Sequence, residues 1–115
     1  FNEKYFERVI HHELFHIIDD SFDNLFDDKE WKKLNKKNFQ YAACSTCTKK
    51  IGLDTYKKTN GFFTEYSKST PSEDMAEVFS HLIKSQYKKS NDKVLNKKVE
   101  FIKKKLKKID NTFVF

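Results

Sequence analysis

Glycine and proline are almost missing: two glycines and one proline serve 115 residues. Few residues are therefore available to end helices or to open left-handed turns, which favours long helices over a turn-rich sheet protein. Arginine is scarcer still, with Arg8 alone among 23 basic side chains. Recognition of phosphates or base edges by a planar fork depends on that residue, so its scarcity counts against a nucleic-acid partner despite the net charge of +6. No apolar run approaches the roughly 18 residues of a membrane-spanning helix, and no secretory leader pattern is present. Cysteine occurs twice, too seldom to settle a redox compartment.

What the chain has in abundance is phenylalanine, at 12 residues, beside charged residues at 35%. That composition argues against disorder, and the length suits one domain over residues 1–115. Because the chain starts at Phe1 with no initiator methionine, a processed product or the C-terminal part of a longer protein is expected. The net charge of +6 comes mostly from lysines after residue 84, as on a solvated helix face.

One stretch organises the rest. His12, Glu13 and His16 form an H-E-x-x-H run inside a segment, residues 1–20, that reads as helix. Residues four apart on a helix lie one above the other, about 6 Å apart, so the two imidazoles can grip one cation. Glu13 leans over the same site, where a carboxylate can take a proton from a water that the metal activates. His11 is a decoy, diverging from His16 around the helix and followed by no acid. A lone helix offers a tetrahedral ion one side only, so the third ligand must come from another segment and not from Asp20. Asp19 or Asp20 fits better as the acceptor for the outer N–H of a ligand histidine, or as a plain polar helix end. Tyr5, Phe6, Val9, Ile10, Leu14, Phe15, Ile17 and Ile18 cover more than one face, which predicts a helix buried between neighbours.

Residues 21–60 are expected to form a connecting helix, starting at Asp27 or Asp28 and reaching Asn35 with Trp31 and Leu34 inward, and then an irregular loop beside the site. Cys44 and Cys47 in that loop fit structural thiols or a local disulfide, with a second metal site and redox chemistry as weaker readings. In residues 61–89, Gly61–Tyr66 reads as a short extended piece. A helix then starts with Thr70 as cap and Pro71 at its first position and runs to about Tyr87, with Met75, Val78, Phe79, Leu82 and Ile83 as its apolar stripe. Glu73 and Glu77 share a face one turn apart. Glu73 has two readings, a carboxylate aimed at a metal or the far half of a capping box reaching back to Thr70. Residues 91–109 place Leu95, Val99, Ile102, Leu106 and Ile109 in a seam on a lysine-rich helix, a buttress with no chemistry of its own.

The run from His11 to Asp19, Trp31-Lys32-Lys33-Leu34-Asn35, the stretch from Gly61 to Ser67, and the stretch from Glu73 to Phe79 occur in an order that resembles a bacterial family of zinc-binding metallopeptidases, of gluzincin type. Tyr66 stands seven residues before Glu73, which is similar to the catalytic domain of anthrax lethal factor. The metzincin pattern fails, with Asp19 and Phe22 where its glycine and third histidine belong. The resemblance implies zinc (Zn2+) on His12, His16 and Glu73, Glu13 as general base, Tyr66 as donor to the developing oxyanion, and Glu77 supporting a ligand histidine. It also implies a mainly α, compact, zincin-like catalytic core with little or no sheet retained, although such peptidases usually carry a substrate-pairing strand ahead of the active-site helix.

The expected function is a zinc-dependent peptidase acting on a peptide or protein; the compartment stays open, and only the resemblance suggests a bacterial surface or secreted setting. The alternatives are a catalytically inactive zinc-binding pseudopeptidase, a basic interaction module, and a purely structural helical domain. The oligomeric state stays open.

Overall fold

Four helices and one 3₁₀ turn make up the regular structure of the computed structural model, which describes residues 3–47, 54–85 and 89–112. The helices are α1 (Glu3–Ser21), α2 (Asp28–Lys32), α3 (Pro71–Ser85) and α4 (Lys93–Ile109), and Tyr66–Lys68 form the turn. The protein is mainly α, with no strand among the described residues.

Caps set the helix starts. Asp27 accepts from the Glu30 N–H at 3.1 Å, Thr70 Oγ1 from the Glu73 N–H at 3.1 Å, and Asp92 Oδ1 from the Leu95 N–H at 3.0 Å. Pro71 occupies the first position of α3, where its missing N–H costs nothing. α2 stops at Lys32 and does not reach Asn35, because the Leu34 and Asn35 N–H groups bond to carbonyls three residues back and leave the helical ladder. The Tyr87 expected at the end of α3 lies outside the described residues. Gly61–Tyr66 is not extended: Gly61 takes φ +85° and the segment curls into the 3₁₀ turn. A side chain at Gly61 would also meet Val94 Cγ1 at 3.1 Å, so glycine is required on two counts.

α3 is the centre of the packing. It buries Met75, Ala76, Val78, Phe79 and Leu82 against α1 on one side and α4 on the other. Phe15 of α1 stacks edge-on to Phe26 at 4.9 Å and lies 5.6 Å from Phe79, while Leu95, Val99, Ile102 and Leu106 supply the α4 seam as the periodicity predicts. α1 departs from expectation. Only His12 and Phe15 are buried along it, and Phe6 and Ile17 remain 49% and 63% exposed. Phe6, Ile10 and Ile17 lie roughly half a turn around the helix from Phe15, and among the described residues the main helical neighbour of α1 is α3, so that outer apolar face stays half exposed.

A second surprise sits inside the α4 seam. Lys98 and Asp74 are both 0% exposed, and Lys98 Nζ donates to Asp74 Oδ2 and to Gly61 O, each at 2.7 Å. Trp31 Nε1 and the Tyr41 hydroxyl donate to the same Asp74 oxygen at 3.1 and 2.5 Å. Burial pushes the Asp74 carboxyl up and the Lys98 amine down, each against the pull of its partner. Removing one member strands a charge in the core, which costs about 3–5 kcal/mol. Lys98→Met is therefore expected to lower unfolding free energy by that order in a urea titration, and Lys98→Met combined with Asp74→Leu to recover a large part of it.

Candidate metal centre

α1 and α3 cross so that the H-E-x-x-H face of one looks at the Glu73 and Glu77 face of the other. His12 Nε2 lies 3.2 Å from Glu73 Oε1 and 3.2 Å from His16 Nε2, and His16 Nε2 lies 2.5 Å from Glu73 Oε1. These three donor atoms form a compact triangle contributed by two helices. A tetrahedral zinc ion bonded at about 2.0–2.1 Å holds its ligands about 3.3 Å apart, so two edges already fit and the third needs to open slightly. Glu73 thus makes half of a capping box only. Its backbone N–H is capped by Thr70, while its carboxylate points to the histidines and not back along the chain.

The atoms behind the triangle fix its chemistry. His12 Nδ1 lies 2.9 Å from Glu77 Oε2, and the other Glu77 oxygen accepts from Thr64 Oγ1 at 2.7 Å. With Nδ1–H donating to the carboxylate, it is Nε2 of His12 that faces the triangle, and in neutral His12 that nitrogen carries the lone pair. His16 Nδ1 faces Ser72 Oγ at 3.2 Å, so the serine stands where Asp19 was expected. Asp19 is close enough for the His16 charge to pull its carboxyl down, though burial and then Asp28 and Asp20 push it up more strongly. His81, one turn beyond Glu77, turns away: it stacks on Phe63 at 4.2 Å, and burial pushes it below the usual histidine value.

The site asks for positive charge. Burial alone would depress His12, yet Glu73 and Glu77 outweigh it and raise the imidazole to about 9. Burial raises Glu73, and the two histidines overcome that and bring it to about 2. Glu77 is likewise held below its ordinary range by His12 and Thr64 in spite of burial. In the metal-free protein, a proton on His12 meets this demand; a divalent ion would meet it by displacing that proton.

A hollow of about 280 Å³ opens beside the triangle, lined in part by His12, Glu13 and Tyr66. Glu13 is exposed, and the half-buried Tyr66 ring lies 5.9 Å from the His12 ring. The far wall is the turn closed by a Cys44–Cys47 disulfide, which contributes Ser45 and Thr46. The expected loop therefore does lie beside the site. Sequence reasoning missed Ser72 and Thr64. Ser72 adjoins Glu73 on the helix, a signal that was available, whereas nothing local marks Thr64.

Fold and site together define a helical, zincin-like metal-binding core. The family described as "Putative zinc-binding metallo-peptidase" matches residues 2–113, and the chain belongs to that family. The family is zinc-binding by description, and His12, His16 and Glu73 are the group here that could hold the metal. No curated protein and no solved structure matches. The likeness to the lethal factor catalytic domain therefore rests on the Tyr66 and Glu73 spacing alone.

The raised His12 and lowered Glu73 values set the pH response. His12 stabilises the metal-free fold fully below about 6.5 and loses that contribution as pH rises through about 9; Glu73 contributes above about 4.5 and loses it as pH falls toward 2. Metal-free protein is thus expected to melt highest between about pH 4.5 and 6.5 as far as these groups decide, and lower at pH 10, by scanning fluorimetry. Zinc affinity should run the opposite way below pH 9, weakening about tenfold per unit of acidification as a proton competes for His12. Competition with a calibrated chelator checks it.

Proposed function

We propose that the chain is a gluzincin-type zinc peptidase, with the metal on His12, His16 and Glu73, Glu13 as general base and Tyr66 as donor to the reacting carbonyl oxygen. The observation that carries this reading is the convergence of two imidazole nitrogens and one carboxylate oxygen beside a hollow that also holds Glu13 and Tyr66. Membership of a metallopeptidase family supports it. Zinc held by His12, His16 and Glu73 would supply Lewis acidity, making the attacking water more acidic and polarising the reacting carbonyl.

The side chains of the chain itself do the rest. Glu13 follows His12 directly and stands exposed in the hollow, so its carboxylate receives the proton of the attacking water. As water oxygen bonds to the carbonyl carbon and the C–N bond breaks, Glu13 returns that proton to the departing amine nitrogen. Tyr66 donates its O–H to the oxygen on which charge accumulates. The loss of one such donor lowers kcat about 10²–10³-fold. Glu77 keeps the His12 tautomer fixed, as Thr64 keeps Glu77 in place. Ser72 does the corresponding service for His16.

Elemental analysis is expected to give one zinc per chain for the wild type and for Glu13→Gln, and none for His16→Ala. Cleavage of a randomised peptide library, followed by mass spectrometry, should vanish in both variants, and Tyr66→Phe should keep zinc with kcat lowered about 10²–10³-fold. Peptidase activity surviving in Glu13→Gln removes the general base from the account. Stoichiometric zinc without cleavage by the wild type leaves the pseudopeptidase.

A further inference from the structure

The hollow beside the metal ligands has one arginine or lysine among its lining residues, and it is Arg8, the sole arginine of the chain. Arg8 precedes His12 by one turn on the same helix face, so Arg8, His12 and His16 stand in a row along α1. The guanidinium is moored. Its Nη1 donates to Thr55 Oγ1 at 3.0 Å, Thr55 Oγ1 lies 2.8 Å from His81 Nε2, and His81 Nδ1 lies 2.8 Å from Glu77 O. Arg8 is therefore held, through Thr55 and His81, to the helix that carries Glu73 and Glu77. The Tyr5 ring, 5.4 Å from the guanidinium carbon, adds a cation–π contact.

We propose that this hollow is a subsite for a carboxylate of the substrate and that Arg8 is its specificity determinant. The preferred peptide then carries an acidic side chain, or its own free C-terminus, close to the bond that is cleaved. This substrate class rests on the peptidase reading of the site. A guanidinium presents five N–H groups in a planar fork that matches a carboxylate, and Ser45 and Thr46 add hydroxyls to the opposite wall. The spacing is suitable, since an extended peptide advances about 3.3–3.6 Å per residue and one helical turn rises about 5.4 Å. A carboxylate on the residue beside the reacting carbonyl, or on the next one, covers the step from His12 to Arg8. At about 280 Å³ the hollow lies at the small end for ligand pockets, the size for one residue and not for a long segment.

Binding and cleavage test this separately. Acetylated pentapeptides with central Glu, Gln or Lys and an amidated end, and an all-Ala pentapeptide with free or amidated end, are titrated by calorimetry into zinc-loaded Glu13→Gln protein. The same peptides are given to the wild type and the products followed by chromatography. The Glu peptide or the free-ended peptide should bind at least tenfold more tightly than its uncharged counterpart. Tight binding that follows the side chain assigns an acidic-residue subsite, and tight binding that follows the free end assigns a C-terminal one. Arg8→Gln should abolish the difference and Arg8→Lys should keep part of it, with zinc content and circular dichroism showing which variants fold. Should Arg8→Gln fail to fold, a Glu-to-Gln ratio unchanged in Arg8→Lys together with equal binding of Glu and Lys peptides overturns the proposal. Equal binding of all the peptides, or a difference that survives Arg8→Gln, overturns it as well. Cleavage without discrimination sinks the carboxylate subsite and leaves the peptidase standing, whereas Arg8-dependent binding without wild-type cleavage does the reverse.

Discussion

Three carboxylates on one helix must each find positive charge or hydrogen-bond donors away from water, and the fold is arranged to supply them. Glu73 and Glu77 look toward α1, and Asp74, about a quarter turn around, looks toward α4. The α4 side answers with a fixed cation, Lys98, backed by Trp31 and Tyr41. The α1 side answers with imidazoles, which accept either a proton or a metal. The contrast is functional. An ammonium in a dry core is bound to one carboxylate for good, while a pair of histidines leaves the charge exchangeable. Because Asp74 adjoins Glu73, the buried pair fixes the rotation of α3 about its axis, and with it the direction in which the Glu73 carboxylate points.

How much of this was legible follows from the range of each interaction along the chain. The pairing of His12 with His16 is a one-turn relation and is visible as H-E-x-x-H before any fold is known. The start of α3 is equally local, written in Thr70 and Pro71. Glu73 was readable only as a choice between cap and ligand. Its outcome depended on α1 being opposite, and the structure divides the residue, backbone to the cap and side chain to the histidines. Lys98 was hidden by the seam. Leu95, Val99, Ile102 and Leu106 accounted for the buried face of α4, and a lysine among so many others carried no mark of a partner 24 residues away. The half-exposed side of α1 was hidden for a related reason, since apolar residues on several faces report what could be buried and not how deeply the fold buries it.

The wall that faces α1 shows how a chain with so little glycine and no strand among its described residues builds a site. Holding a loop in one conformation costs about 1–2 kcal/mol per residue in backbone entropy, and α1 and α3 alone do not enclose the hollow. Two tethers offset that cost. The Cys44–Cys47 bridge closes the turn that presents Ser45 and Thr46, and the Ala42 N–H donates to Lys68 O at 3.1 Å, tying the same loop to the 3₁₀ turn that begins at Tyr66. Tyr66 and the disulfide turn are thereby placed as one unit across from Arg8, His12 and Glu13. The turn continues directly into the Thr70 cap of α3, so the segment that places Tyr66 also sets the first turn that carries Glu73. A displacement of that short segment would therefore move Tyr66 and the Glu73 carboxylate together, which makes it, more than any single side chain, the element on which the geometry of the hollow turns.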